Sequence, residues 1–346
     1  MILAILSGLC LALMVIADKL MVNDCYQGDA KQALFISSFA GAALGLVVTS
    51  AYWFFGGTDT TILWEILTTW WSSYGLLIFV AGALSAQVLY HYFHCLSEDT
   101  DSTIIASWLA ATPIFVFVFS LILLPFGLLF DEIKISPWAV CGIILTSCGL
   151  ALLERYSYDS TRSEGKYWHH LAAMVLLSVL YIVLIDQTLG KGIEHTNIGS
   201  HDFILALLPA YWLGFAIGMR VMIKKENRIS FGENIPLLRQ YFIPILIMEL
   251  LGMGVFFFEF LSLEELDSVT SSIIIGLHVI PVWIVSVILT HYNDSLKRKG
   301  RHSGAIFRFQ LNTEMLDAFR VRKGSRLFQL ICIIAIILGL TIFVLA

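Results

Sequence analysis

The chain has 346 residues, of which 58% are hydrophobic and only 14% charged. A soluble domain carries about 25% charge, so composition argues against a water-soluble enzyme or binding module. The net charge of −5 sits in loops, and no charge block points to a nucleic-acid partner.

Apolar runs of about 20 residues recur along the whole length, each long enough to cross roughly 30 Å of hydrocarbon. The expectation is an all-α polytopic membrane protein. Ten transmembrane spans are expected near 2–22, 33–55, 75–96, 103–125, 137–154, 169–190, 203–223, 241–262, 269–292 and 327–346. No basic n-region precedes Ile2 and no clear cleavage site follows, so the first span reads as retained. The cysteines show no CxxC spacing and read as small apolar side chains rather than a disulfide or metal set.

In chain order, the first span ends in Asp18 and Lys19. The carboxylate suits a proton or cation, and the ammonium suits an anionic substrate group. Alternatively both lie near the interface, where Lys19 snorkels and Asp18 caps or pairs. The second span carries Ser37, Gly41 and Gly45 at four-residue spacing, which lets helix backbones approach closely in lipid. Ile62, Leu63, Ile66, Leu67, Trp70, Trp71 and Tyr74 then recur at helical spacing. They predict an amphipathic interfacial helix over 60–74, serving as a connector or a lid. The third span sets Gln87 and His91 on one face, with His94 beyond. In the fourth, Pro113 removes a backbone hydrogen bond, and Trp108 lies one turn earlier. That tryptophan either walls a substrate or fills the bundle.

His169 and His170 open the sixth span beside Trp168 and read as interfacial, and Asp186 lies late in the same span. The seventh repeats small residues at Ala210, Gly214 and Gly218. The eighth holds Glu249 and Glu259, whose spacing points their side chains about 80° apart. The ninth holds His278 before Pro281, with Trp283 just after. The last loop, Asn293 to Arg326, is long and basic, which suits a topology anchor or anionic-lipid binding. Within it, Leu311, Met315, Leu316 and Phe319 predict one face of a short surface helix.

The chain is also written twice. A shift of 168 residues lays Asp18 on Asp186, Asp99 on Asp267, Pro113 on Pro281 and His91 on Glu259. The expected halves are 1–156 and 157–346, each with five spans, and an odd number inverts the second in the bilayer. Inverted repeats build a site between the halves, and matching helix interruptions mark it. The candidate substrate- or ion-binding residues are therefore Asp18, Lys19, Gln87, His91, Trp108, Pro113, Asp186, Glu249, Glu259, His278 and Pro281. Each also has a plain structural reading, such as a His–Glu packing pair or a hydrogen-bonded histidine. HExxH, GxSxG and glycine-rich phosphate-loop signatures are missing, so neither an enzyme nor a cofactor is expected.

With these motifs in view, the chain resembles the EamA-like branch of the drug/metabolite transporter (DMT) superfamily. Val15 to Leu20 resembles a family ending of the first span, and Leu89 to Phe119 resembles its most recognisable block. That block has an acidic-Ser turn, Glu98 to Ser102, followed by Pro113-Ile114-Phe115. The second half repeats it at Leu266-Asp267-Ser268 and His278 to Val282. The resemblance implies two inverted five-helix repeats and a secondary transporter for a small organic metabolite, coupled to H+ or working by exchange. A lipid-intermediate flippase of the same fold, or a non-transport membrane scaffold subunit, stays open, as does a homodimer.

Of the 21 Lys and Arg, only Lys134 and Lys191 fall outside loops 1–2, 3–4, 5–6, 7–8 and 9–10 with their helix ends. The positive-inside rule puts those loops in the cytoplasm and both termini outside, in a multi-pass cytoplasmic (inner) membrane protein. Relatives in the resembled family place both termini inside.

Overall fold

Peptide groups in hydrocarbon have no water to bond, so each apolar stretch satisfies its own backbone as a helix. A computed structural model describes residues 1–24, 30–55, 68, 73–97, 102–123, 136–157, 167–195, 200–222, 236, 239–266, 271, 274–301, 303–306, 309–312, 316 and 326–345. The helices are α1 (Ile2–Asp24), α2 (Ala30–Phe55), α3 (Ser73–Ser97), α4 (Ser102–Ala110), α5 (Thr112–Leu123) and α6 (Pro137–Ser157). They continue as α7 (Tyr167–His195), α8 (Ser200–Met222), α9 (Phe242–Glu265), α10 (Val279–Arg298) and α11 (Arg326–Val344). Strands β1 (Ser303–Ile306) and β2 (Phe309–Asn312) lie between α10 and α11.

Among the described residues, 8 helices are long and apolar enough to cross a membrane, with α4 and α5 counted as one span. A shorter apolar helix occupies Pro137–Leu153. Leu9 and Leu13 of α1, Ile284 and Ile288 of α10 and Ile331 and Leu338 of α11 are all exposed. Such continuous apolar faces are foreign to a protein surrounded by water and fit a lipid boundary. The chain is a multi-pass helical membrane protein. Most of the amphipathic segment expected at 60–74 lies outside the described residues; Ser73 and Tyr74 begin α3.

Packing joins helices far apart in the chain. α1 lies against α9, α3 against both α7 and α8, and α6 against α11. α2 contacts both α8 and α9. Small residues make the closest crossings possible. A Cβ on Gly82 would strike the Tyr211 carbonyl, and one on Gly214 the Phe79 carbonyl, so α3 and α8 meet backbone to backbone. Gly142 and Gly339 do the same for α6 and α11. Hydroxyls bridge helices as well: Ser7 Oγ donates to Val255 O at 3.0 Å, between α1 and α9. Gly41 and Gly45 differ from the expected backbone contact. They open room for two side chains, Glu249 and Trp212.

Two helices break where proline lacks its N–H. α4 stops at Ala110, and the helix resumes at Thr112. The Ile114 N–H reaches back only three residues, to Ala111 O at 3.0 Å. Near Pro281 the chain turns at Leu277 and His278, where Ile280 N–H bonds Leu277 O at 3.1 Å. Pro281 cannot donate to that carbonyl itself, which leaves a tighter turn as the local solution.

α10 ends at Arg298, and Gly300 just beyond its cap has a φ of 64°, the left-handed conformation that closes a helix. Arg301 N–H then bonds Leu296 O at 3.0 Å. β1 and β2 follow as an antiparallel hairpin, with Ser303 opposite Asn312 and Gly304 opposite Leu311. Leu311 is therefore in a strand, not on the expected surface helix. Its run Phe309-Gln310-Leu311-Asn312 alternates apolar and polar, the period of a strand. Met315 and Phe319 lie outside the described residues. Leu316 is fully buried against the end of α10 and partly buried Ile16 and Leu20 of α1.

Candidate functional site

A cavity of about 200 Å³ lies among α1, α2, α3, α7, α8 and α9, with the α4–α5 break and the turn before α10 completing its wall. Each helix contributes a stripe at helical spacing: Leu11, Met14 and Asp18 from α1, and Ser85, Leu89 and Phe93 from α3. α9 presents a broad stripe that includes Glu249, Gly252, Phe256 and Glu259. Glu249 and Glu259 thus reach one space, although their spacing separates them around the axis, because the cavity spans a wide arc of α9.

Three carboxyl groups line this space: Asp18, Glu249 and Glu259. Asp18 is 3% exposed, and its Oδ2 accepts a 3.0 Å hydrogen bond from Tyr92 Oη. Glu249 Oε1 accepts a 2.6 Å hydrogen bond from Ser37 Oγ, and Asp18 and Glu249 interact electrostatically. Among the described residues, the Glu259 carboxyl accepts no hydrogen bond. It lies within electrostatic reach of Tyr181 and Tyr211. No lysine or arginine is among the lining residues. Lys19, beside Asp18, is wholly buried and donates through Nζ to Leu96 O at 2.6 Å.

His278 also faces the cavity and is 2% exposed. Its Nδ1 lies 3.0 Å from Ile275 O; a carbonyl only accepts, so Nδ1 carries the hydrogen. Nε2 has no partner among the described residues, and neither do Thr112 Oγ1 and Trp212 Nε1 in the same walls. Beside Glu259 the wall is aromatic. Tyr211 and Phe256 meet edge to face at 4.8 Å, and Tyr181 and Trp212 each lie 5.9 Å from Phe256.

Other sequence candidates stand elsewhere. His91 is absent from the cavity lining; its Nδ1 lies 2.9 Å from His170 Nδ1, so one ring donates and the other accepts. His170 stacks on His94 at 4.4 Å, which makes the α3–α7 contact an imidazole cluster. Trp108 packs on Phe115 and Trp168, and Trp283 Nε1 donates to Gln329 Oε1 at 3.4 Å; neither tryptophan is in the lining. Gln87 and Pro281 are half-buried and not in the lining, although Ile275, Gly276 and His278 just before Pro281 are. The backbones of Asp186 and Pro113 belong to α7 and α5, but their side chains lie outside the described residues. No cluster of ligands able to hold a metal occurs among the described residues.

Sequence reasoning missed Tyr92, Ser37, Tyr181 and Trp212. Tyrosine and tryptophan count as apolar in a hydropathy profile, and Ser37 passes as a small packing residue. Only the tertiary pairing reveals their polar ends.

No family model and no curated protein matches the chain. A solved structure described as "Crystal structure of protein" is similar over 97% of this chain and 96% of its own, with 12% identity and a TM-score of 0.47.

Proposed function

We propose that this protein is a secondary transporter that moves a small organic metabolite across the cytoplasmic membrane by alternating access, coupled to protons or to exchange. The observation that carries the reading is the acidic cavity between helices from both ends of the chain. Ionisable groups inside spans are costly and line pathways or relays. Carboxyls lining a cavity can take up and release protons as it opens to either side.

The packing supports ten spans arranged as two inverted five-span repeats, with α4 and α5 together as one span. Exchange the two halves, and the α1–α9 contact becomes α7–α3. The α2–α9 contact becomes α8–α3, and α6–α11 maps on itself. The helix breaks near Pro113 and Pro281 correspond under the same exchange. This supports a pseudo-twofold axis with the cavity near it, the arrangement of inverted-repeat transporters. The sequence likeness to the drug/metabolite transporter superfamily agrees. By the charge count, the basic segment Lys297 to Arg301 faces the cytoplasm. A flippase for a carrier lipid is the weaker reading, because a space of about 200 Å³ holds far less than a lipid headgroup and chain.

The test is flux. Purified protein in liposomes is offered a metabolite mixture under an imposed pH gradient, and the lumen is analysed by mass spectrometry. The reading expects saturable accumulation of at least one solute, lost in Glu249→Gln. Absence of accumulation and of proton movement for every solute overturns it.

A further inference from the structure

We infer that the substrate of this cavity is a small protonated amine with N–H donors and an apolar body about one ring in size. The inference rests on the transporter reading and narrows it.

The cavity has a surplus of acceptors. Among the described residues, three carboxyls line it and no lysine or arginine answers them. The nearest cation in sequence, Lys19, is held at Leu96 O and does not line the space. Asp18 and Glu249 receive only neutral hydroxyls, from Tyr92 and Ser37. The Glu259 carboxyl receives no hydrogen bond among the described residues. The His278 ring adds a further acceptor: with the hydrogen on Nδ1, Nε2 of the neutral ring offers a lone pair, and it has no partner there. Unpartnered buried polar atoms cost free energy unless something bonds them. Glu259 and His278 line the same cavity, so a positively charged ligand with several N–H donors offers a partner to each.

The walls select the rest of the molecule. Tyr181 lies within electrostatic reach of Glu259 and packs on Phe256, one turn before that glutamate, with Trp212 on the same ring, so an ammonium at that wall meets aromatic side chains as well as a carboxyl. Elsewhere the lining is largely apolar, with Leu11, Met14, Val88 and Ile182. The volume of about 200 Å³ is a little above the roughly 150 Å³ that accommodates benzene. It lies below the roughly 300 Å³ at which drug-sized pockets begin. One ring with a short amino chain fits. An anion, or an amino acid with its own carboxylate, meets three acids and no cation among the described lining residues.

Binding to the purified full-length protein in detergent tests this, by calorimetry with four matched probes. Phenethylamine is compared with 2-phenylethanol, with phenylalanine and with the N,N,N-trimethyl derivative of phenethylamine. The expected order on the unmodified protein places phenethylamine at least tenfold tighter than each of the others. The trimethyl compound keeps the charge but has no N–H for His278. Glu259→Gln should weaken phenethylamine at least tenfold, whereas Cys141→Ala, on an exposed face away from the cavity, should leave it unchanged. Phenethylamine that fails to bind, or binds no better than the alcohol or the amino acid, overturns the inference. So does a preference for it that survives Glu259→Gln. Because the probe order is measured on the unmodified protein, a poorly folding variant does not rescue the idea. Flux of a non-amine solute into liposomes would leave the transporter reading standing while this inference falls. Tight amine binding without any flux would overturn the transporter reading and leave an amine-binding cavity that transports nothing.

Discussion

Ser37 and Glu249 are 212 residues apart in the chain, yet the serine hydroxyl donates a 2.6 Å hydrogen bond to the glutamate Oε1. The contact ties α2 to α9 at the cavity wall. Interhelical hydrogen bonds in membrane proteins contribute about 0.6 kcal/mol on average. Ser37→Ala should therefore lower the thermal unfolding midpoint in detergent by about 1–2 °C. A midpoint that does not move would show that the bond adds nothing to stability.

Gly41 and Gly82 predict opposite phenotypes. A Cβ on Gly41 meets the flexible end of Glu249, so Gly41→Ala should fold and express normally while lowering flux through a displaced carboxyl. A Cβ on Gly82 meets the rigid backbone of Tyr211. Gly82→Ala should force α3 from α8 and yield aggregated or poorly expressed protein. Fluorescence-detected size-exclusion profiles read beside liposome uptake separate the two.

His91 pairs with His170 instead of facing the cavity. His91→Ala should keep uptake within about twofold of the unmodified protein while losing roughly 1 kcal/mol of stability, the scale of one hydrogen bond and its packing. A tenfold loss of uptake with an unchanged melting curve would put His91 on the transport path.

The break ahead of Pro281 is a local answer to a missing N–H. Pro281→Ala supplies a donor that can reach Leu277 O, which now accepts from Ile280. The helix should straighten and carry His278 away from the cavity. The expected result is slower turnover with an equal or higher melting temperature, since a backbone bond is gained. Unchanged turnover would show that the bend is not needed for movement.

Much of the fold could be read from the sequence, because its strongest constraints are local. A run of about 20 apolar residues has to be a helix in lipid, and a proline has to interrupt one. Among the described residues, 8 apolar helices of membrane-crossing length fall on expected spans, and the chain breaks beside Pro113 and Pro281. The site was harder to read. Asp18 was a candidate, but its partner Tyr92 is 74 residues away and looks like any apolar residue. His91 and Glu259 match in the repeat, yet one turns to a neighbouring imidazole and the other to the cavity. A match under the 168-residue shift does not fix what a helix face meets. Gly41 and Gly45 show the same limit, since spacing identifies small residues without saying whether backbone or side chain fills the gap. At Leu311 the basic loop was read with a period of 3.6, where the alternation of its neighbours gives a period of 2.

The interlocked packing also constrains how the protein is made. α1 (Ile2–Asp24) is made long before α9 (Phe242–Glu265), yet α9 is its main contact. α3 likewise waits for α7 and α8. Asp18 and Lys19 meet their hydrogen-bond partners sooner, at Tyr92 and Leu96 of α3. The order of assembly is thus set by which helices pair and not by their order along the chain.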